Sequence, residues 1–119
     1  MKIKATTAIL TCVAVTMLSG CGQQHKAEST IKNFIENNIQ ADDYTVMFTK
    51  LDSTRHVSDK AIQAMRANAE NNGTFKKGIK YGKAGEQYLY IKTKICLGND
   101  TLDKTFYLEP SLTEVVAFK

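Results

Sequence analysis

Tryptophan is absent from this sequence, and proline occurs once, at Pro110. With only seven glycines among 119 residues, proline-rich extended segments and glycine-rich linkers are excluded, and neither a repeat nor a low-complexity tract is present. Cys12, Cys21 and Cys96 are the three cysteines, too few for a disulfide-stapled scaffold. Histidine occurs twice, as His25 and His56, whereas a transition-metal site wants three or four convergent ligands. No such cluster can be read, so neither a metal nor another cofactor is expected. A glycine-rich phosphate loop, paired catalytic carboxylates and a serine elbow are missing as well. Sixteen basic and twelve acidic residues leave a formal charge of +4, too weak an excess to call for a nucleic-acid partner.

What is present begins at the N-terminus. Met1, Lys2, Ile3 and Lys4 form a short basic segment, and residues 5–18 carry no charge. This is the layout of a secretory signal peptide. Fourteen uncharged residues interrupted by threonines fall short of the roughly 20 apolar residues that cross a bilayer as a helix.

The uncharged stretch ends in Leu18, Ser19, Gly20 and Cys21. An aliphatic residue, two small residues and a cysteine resemble the bacterial lipobox. The resemblance implies a diacylglycerol on the Cys21 sulfur, cleavage before Cys21 and often a further fatty chain, such as palmitate, on the freed amine. A thiol is the good nucleophile among side chains, and small neighbours let the backbone enter a narrow protease cleft. Two or more chains give a stable attachment where one holds only marginally. Gly22 is not the aspartate that retains enterobacterial lipoproteins in the inner membrane, and no acidic cluster follows as in the surface-export signal of Bacteroides lipoproteins. The resemblance thus implies an outer-membrane lipoprotein facing the periplasm, of a small type familiar from Bacteroidales.

The expected organisation is a signal peptide over residues 1–20, a lipidated tether over 21–26 and a single domain over 27–119. Removing Lys2 and Lys4 lowers the formal charge from +4 to +2. Loss of Cys12 and lipidation of Cys21 leave Cys96 alone, so no intramolecular disulfide can form. Packing alone must hold a domain of this size, which buries somewhat over ~60% of its unfolded surface.

Within the domain, Ala27, Ile31, Phe34, Ile35 and Ile39 recur at the spacing of one helical face. Asp42 and Asp43 end that helix, and residues 44–51 alternate as a strand burying Tyr44, Val46 and Phe48. Ser58 is a good N-cap for a short helix with the stripe Ala61, Ile62, Met65 and Ala69, ended by Asn72 and Gly73. That stripe is weak, and the spacing predicts a partly exposed helix in a connection. Strands are then expected over 74–80, 87–97, 102–108 and 112–118, with turns at Gly98 to Asp100 and around Pro110. The fold class is α+β: an N-terminal amphipathic helix packed on a curled antiparallel sheet of about four strands, with a short second helix. This order of elements resembles the cystatin-like and NTF2-like folds.

Residues for chemistry are few. Cys96 and His56 are the one thiol and imidazole pair in the domain, and a structural cysteine is the simpler reading. His56 with Asp59 does not complete a metal site, and Asn99, Asp100 and Asp103 lack the spacing of a calcium loop. The most suggestive surface lies on the long strand, where Tyr88, Tyr90, Lys92 and Lys94 share the face opposite Leu89. Aromatic rings beside ammonium groups suit a peptide, a glycan or an anionic headgroup, although lysines also serve simply to discourage edge pairing. No catalytic residue is named. The expected function is a non-catalytic binding or protein-interaction module, tethered to a membrane through Cys21, with an envelope protein, peptide or glycan as partner. The alternatives are a small enzyme of NTF2-like type and an inhibitor or immunity-like lipoprotein using the loop 76–86.

Overall fold

A computed structural model describes residues 8–54, 57–71 and 73–119, with side chains from Gly22 onward. Helix α1 (Ala8–Asn38) buries Ala27, Ile31, Phe34, Ile35 and, just past its end, Ile39. These are the five apolar positions of the helical pattern. The helix does not begin at Ala27, however, but runs unbroken through residues 21–26.

The sheet is antiparallel. Strands β1 (Thr45–Phe48), β3 (Leu89–Leu97), β4 (Asp100–Leu108) and β5 (Val115–Phe118) lie in the order β1-β3-β4-β5, and the short β2 (Asp52–Ser53) also pairs with β3. Gly98 and Asn99 close the β3–β4 hairpin between the paired Leu97 and Asp100. Within this turn positive φ is confined to Gly98, at 61°, as a two-residue type II′ turn requires. Period-two alternation puts Ile91, Thr93 and Ile95 of β3 on the buried inner face. Phe106, Leu108, Val115 and Phe118 extend that face, and α1 lies across it. The Phe34 ring stands edge-on to Phe106 and Phe118, at 6.0 and 5.7 Å between centroids. Such contacts add to the area term.

Helix α2 (Asp59–Ala69) is capped as expected, with the Ser58 hydroxyl accepting from the Ala61 N–H at 3.1 Å. It is the expected partly exposed helix in a connection, lying between β2 and β3, and its apolar stripe docks on the sheet. Ile62, Met65 and Ala69 are buried, and Ile62 and Met65 pack with Tyr88, Tyr107, Val116 and Ala117 on the outer face of the sheet. All four residues of β5 are therefore buried. A bulge at Tyr107 and Leu108 sets Val116 as the extra residue between the pairs Leu108–Val115 and Tyr107–Ala117. Val115 and Phe118 turn to the α1 side, while Val116 and Ala117 both turn to α2. A bulge breaks the period of two in this way.

Several expected strands change. The strand expected over 44–51 stops at Phe48, and Asp100, expected in the turn, opens β4. Residues 74–80 form no strand: Phe75 alone bridges Ile39, and the segment is spent on closing the end of α1. There Gln40 N–H donates to Thr74 O at 2.8 Å and Lys76 N–H to Asn38 O at 2.7 Å, after which Gly78 turns away at φ 74°. The last strand begins at Val115 rather than residue 112, because Glu109 ties the preceding turn. Its carboxylate accepts from the backbone N–H groups of Ser111, Thr113 and Glu114 and from the hydroxyls of Ser111 and Thr113. Asn72, expected to help end α2, lies outside the described residues. The result is an α+β fold in which α1 packs on one face of a curled sheet and α2 on the other.

Candidate binding face

The register of β3 and β4 assembles the outer face. Tyr90 lies opposite Tyr107, Lys92 opposite Thr105 and Lys94 opposite Asp103. α2 covers the end near Tyr88 and leaves the Lys92 and Lys94 end open to solvent.

The four residues singled out from the sequence therefore part company. Tyr88 shares the face but is only 1% exposed, enclosed by α2. Its hydroxyl donates to Gly85 O at 3.0 Å and accepts from Gly85 N–H at 2.9 Å, pinning the loop before β3. It cannot grip a partner, which corrects the reading of a continuous four-residue surface. The helix that hides it had too weak a stripe to be placed there. Tyr90 is half-buried, with its ring 6.0 Å from that of Tyr107. Lys92 and Lys94 are exposed. Lys119 joins them from past the end of β5, with its Nζ 6.0 Å from the Tyr107 ring centroid. Tyr107, Thr105 and Lys119 were missed in the sequence because a strand pattern gives faces and not the cross-strand register.

A groove of about 600 Å³ opens beside these residues. Tyr90 and Tyr107 line it together with Ser53, Ser58, Ala61 and Met65, and Lys119 stands at its edge. A smaller depression of about 230 Å³ adjoins Lys92, Lys94, Asp103 and Thr105. Aromatic surface beside hydroxyls and ammonium groups has the chemistry to hold an extended acidic or glycosylated segment. Among the described residues, no histidine, aspartate or glutamate lines the groove beside Ser53 and Ser58.

Cys96 is half-buried between Thr45 and Thr101 on the neighbouring strands. His56 lies outside the described residues, and His25 is exposed on α1. Among the described residues, no group of three His, Cys, Asp or Glu side chains is placed to hold a metal ion. Asp100 and Asp103 are both members of β4. The loop 76–86 exposes Lys76, Lys77 and Lys83 but turns Tyr81 and Gly82 inward. A Cβ on Gly82 would come within 2.6 Å of Glu114 Cβ. Among the described residues, the buried Tyr81 hydroxyl has no hydrogen-bond partner. Burial first and Glu70 second raise its pKa, against the opposing pull of Arg66.

The side chain of Cys21 lies outside the described ones, while Gln24, one turn further along α1, touches the sheet edge. Among the described residues, no helix is long and apolar enough to cross a membrane. No family model, no curated protein and no solved structure matches the chain.

Proposed function

We propose that the chain is a bacterial lipoprotein, cut before Cys21 and held to the outer membrane through that sulfur, and that its body is a non-catalytic binding module in the periplasm. The anchor rests on the basic start, the uncharged stretch and the Leu18-Ser19-Gly20-Cys21 sequence. The binding role rests on one observation: the outer sheet face stays open beyond α2, where exposed Lys92 and Lys94 line one depression and Tyr90 and Tyr107 line the groove on the same face. Asp103 is the one acidic side chain that the β3–β4 register sets among them. The partner that suits this face is an acidic segment of another envelope protein.

Pull-down of the full chain from detergent-solubilised envelopes tests the proposal. The double variant Lys92→Glu with Lys94→Glu should lose the co-purifying partner, and Lys76→Glu with Lys77→Glu, on the far loop, should keep it. Retention of the same partner by the first variant would place binding elsewhere.

A further inference from the structure

We infer that Gln24 fixes the pose of the body on the bilayer: the corner formed by residues 49–53 rests on anionic lipid headgroups, and the Gly98–Asn99 hairpin points away from them. The inference rests on the lipid-anchored reading of Cys21 and adds to it an orientation and a lipid-facing surface.

The clamp arises from a defect in the edge strand. Phe48 pairs with Thr93 and Asp52 with Tyr90, so three residues, 49–51, oppose two on β3. The Thr49 N–H and hydroxyl both bond to Lys92 O, and the same hydroxyl accepts from Lys92 N–H. The bulge leaves Thr49 O and Leu51 N–H turned away from the ladder. Gln24 satisfies both, its Oε1 accepting from Leu51 N–H at 2.7 Å and its Nε2 donating to Thr49 O at 3.0 Å. The same Nε2 donates to the Glu28 carboxylate at 2.7 Å. A side-chain amide held on both sides cannot swivel, and it lies three residues after Cys21. At helical rise those residues span only about 4.5 Å. The lipid attachment point is thereby fastened to the sheet instead of hanging on a loose tether.

The direction of α1 supplies the pose. Gln24, Lys32 and Glu36 lie at four-residue multiples on one flank of the helix and meet the edge strand in reverse order. Gln24 reaches Thr49 and Leu51, Lys32 Nζ lies 5.9 Å from the Phe48 ring centroid, and Glu36 is close enough to Tyr44 to add to the burial that raises its pKa. The Gln24 part of the helix, just past the proposed cleavage point, therefore sits at the 49–53 corner. Thr45 pairs with Cys96 at the other end of β1, and the hairpin follows beyond it. Gly98 lies six positions beyond Lys92, about 20 Å at strand rise. Lys26, five residues past Cys21, and Lys50, within the corner, are exposed, and basic side chains at a bilayer surface favour anionic headgroups. Asp52 and Glu28 are the opposing carboxylates there: Asp52 Oδ1 accepts from Ser53 N–H at 2.8 Å and Glu28 from Gln24 Nε2.

The test uses the full chain, exported, lipidated and reconstituted into vesicles of phosphatidylethanolamine and phosphatidylglycerol. In a Cys96→Ser background, a fluorescent label is placed on Lys50→Cys or on Asn99→Cys and quenched by a headgroup spin-labelled lipid. The label at 50 should be quenched several-fold more strongly than the label at 99. Gln24→Ala should abolish the contrast, and so should a Gly-Ser-Gly-Ser insertion after Gly22, which leaves the clamp and the fold intact. Equal quenching in the parent protein, or a contrast that survives both changes, would overturn the pose while the anchor stands. A parent protein that does not float with the vesicles would overturn the anchor, and the pose with it.

Discussion

Arg66 of α2 donates its Nε–H to the carbonyl of Val116 at 2.9 Å, across the bulge that makes Val116 the extra residue of β5. The guanidinium also donates to Gly82 O at 2.8 Å and lies 5.0 Å from the Tyr81 ring centroid. Gly82 N–H in turn donates to Val115 O at 2.8 Å. One side chain thus joins the second helix, the last strand and the loop 76–86, and it supplies the donor that the bulge denies to the ladder.

Replacing Arg66 with Met keeps much of the apolar stem but strands two carbonyls. Charge-assisted hydrogen bonds are worth about 1.5–3 kcal/mol each, so a loss of about 2–3 kcal/mol is expected. Arg66→Lys should recover only part of it, because an ammonium lacks the planar fork that reaches both acceptors. Urea unfolding of the three proteins checks this, the midpoint falling with an unchanged slope.

Glu109 carries a pH dependence. Desolvation alone would raise its pKa, but the hydrogen bonds from Ser111, Thr113 and Glu114 win and lower it from 4.5 to about 2. A carboxylate with a depressed folded pKa contributes stability that is fully present above the unfolded value, here 4.5, and is lost as pH falls through about 2. The side chain is partly exposed, so after solvent screening the contribution is about 1 kcal/mol. Glu109→Gln should be less stable than the parent at pH 7 and should lose less between pH 4.5 and 2. Parallel denaturation curves for both proteins would contradict the role of Glu109.

Leu112 occupies the left-handed region at φ 60° although it is not glycine, and its side chain is buried. Thr30 Oγ1 holds it in place by donating to Leu112 O at 2.7 Å. Truncation to Ala removes the buried side chain and keeps the strain, whereas truncation to Gly removes both. The left-handed conformation costs an L-residue about 1–2 kcal/mol. Leu112→Gly should therefore melt higher than Leu112→Ala, the reverse of their order at an ordinary position, with both below the parent. A thermal scan of the three proteins decides it.

The sequence patterns that survived folding were the ones carried by burial. Ala27, Ile31, Phe34 and Ile35 marked their helical face, Ile91 and Ile95 their strand face, and Ser58 its cap, because each signal is local and periodic. Residues 74–80 misled for the opposite reason, since their backbone groups serve the distant end of α1 rather than a ladder. The bulges at Val116 and at residues 49–51 left no trace in composition: each depends on which strand lies opposite. Tyr88 illustrates the consequence for the candidate site. Its face was legible, but the helix covering it was not, since α2 gains its burial from long-range packing against β5 and not from a strong stripe of its own.

The most direct measurement is the intact mass of the native protein purified from membranes, with sequencing of its first peptide. If Cys21 is the anchor, the chain begins at Cys21 and carries the added mass of a diacylglycerol, with or without a third fatty chain. A chain that retains residues 1–20, or that carries Cys21 as an unmodified thiol, would contradict the lipoprotein reading on which the membrane placement of the binding face depends.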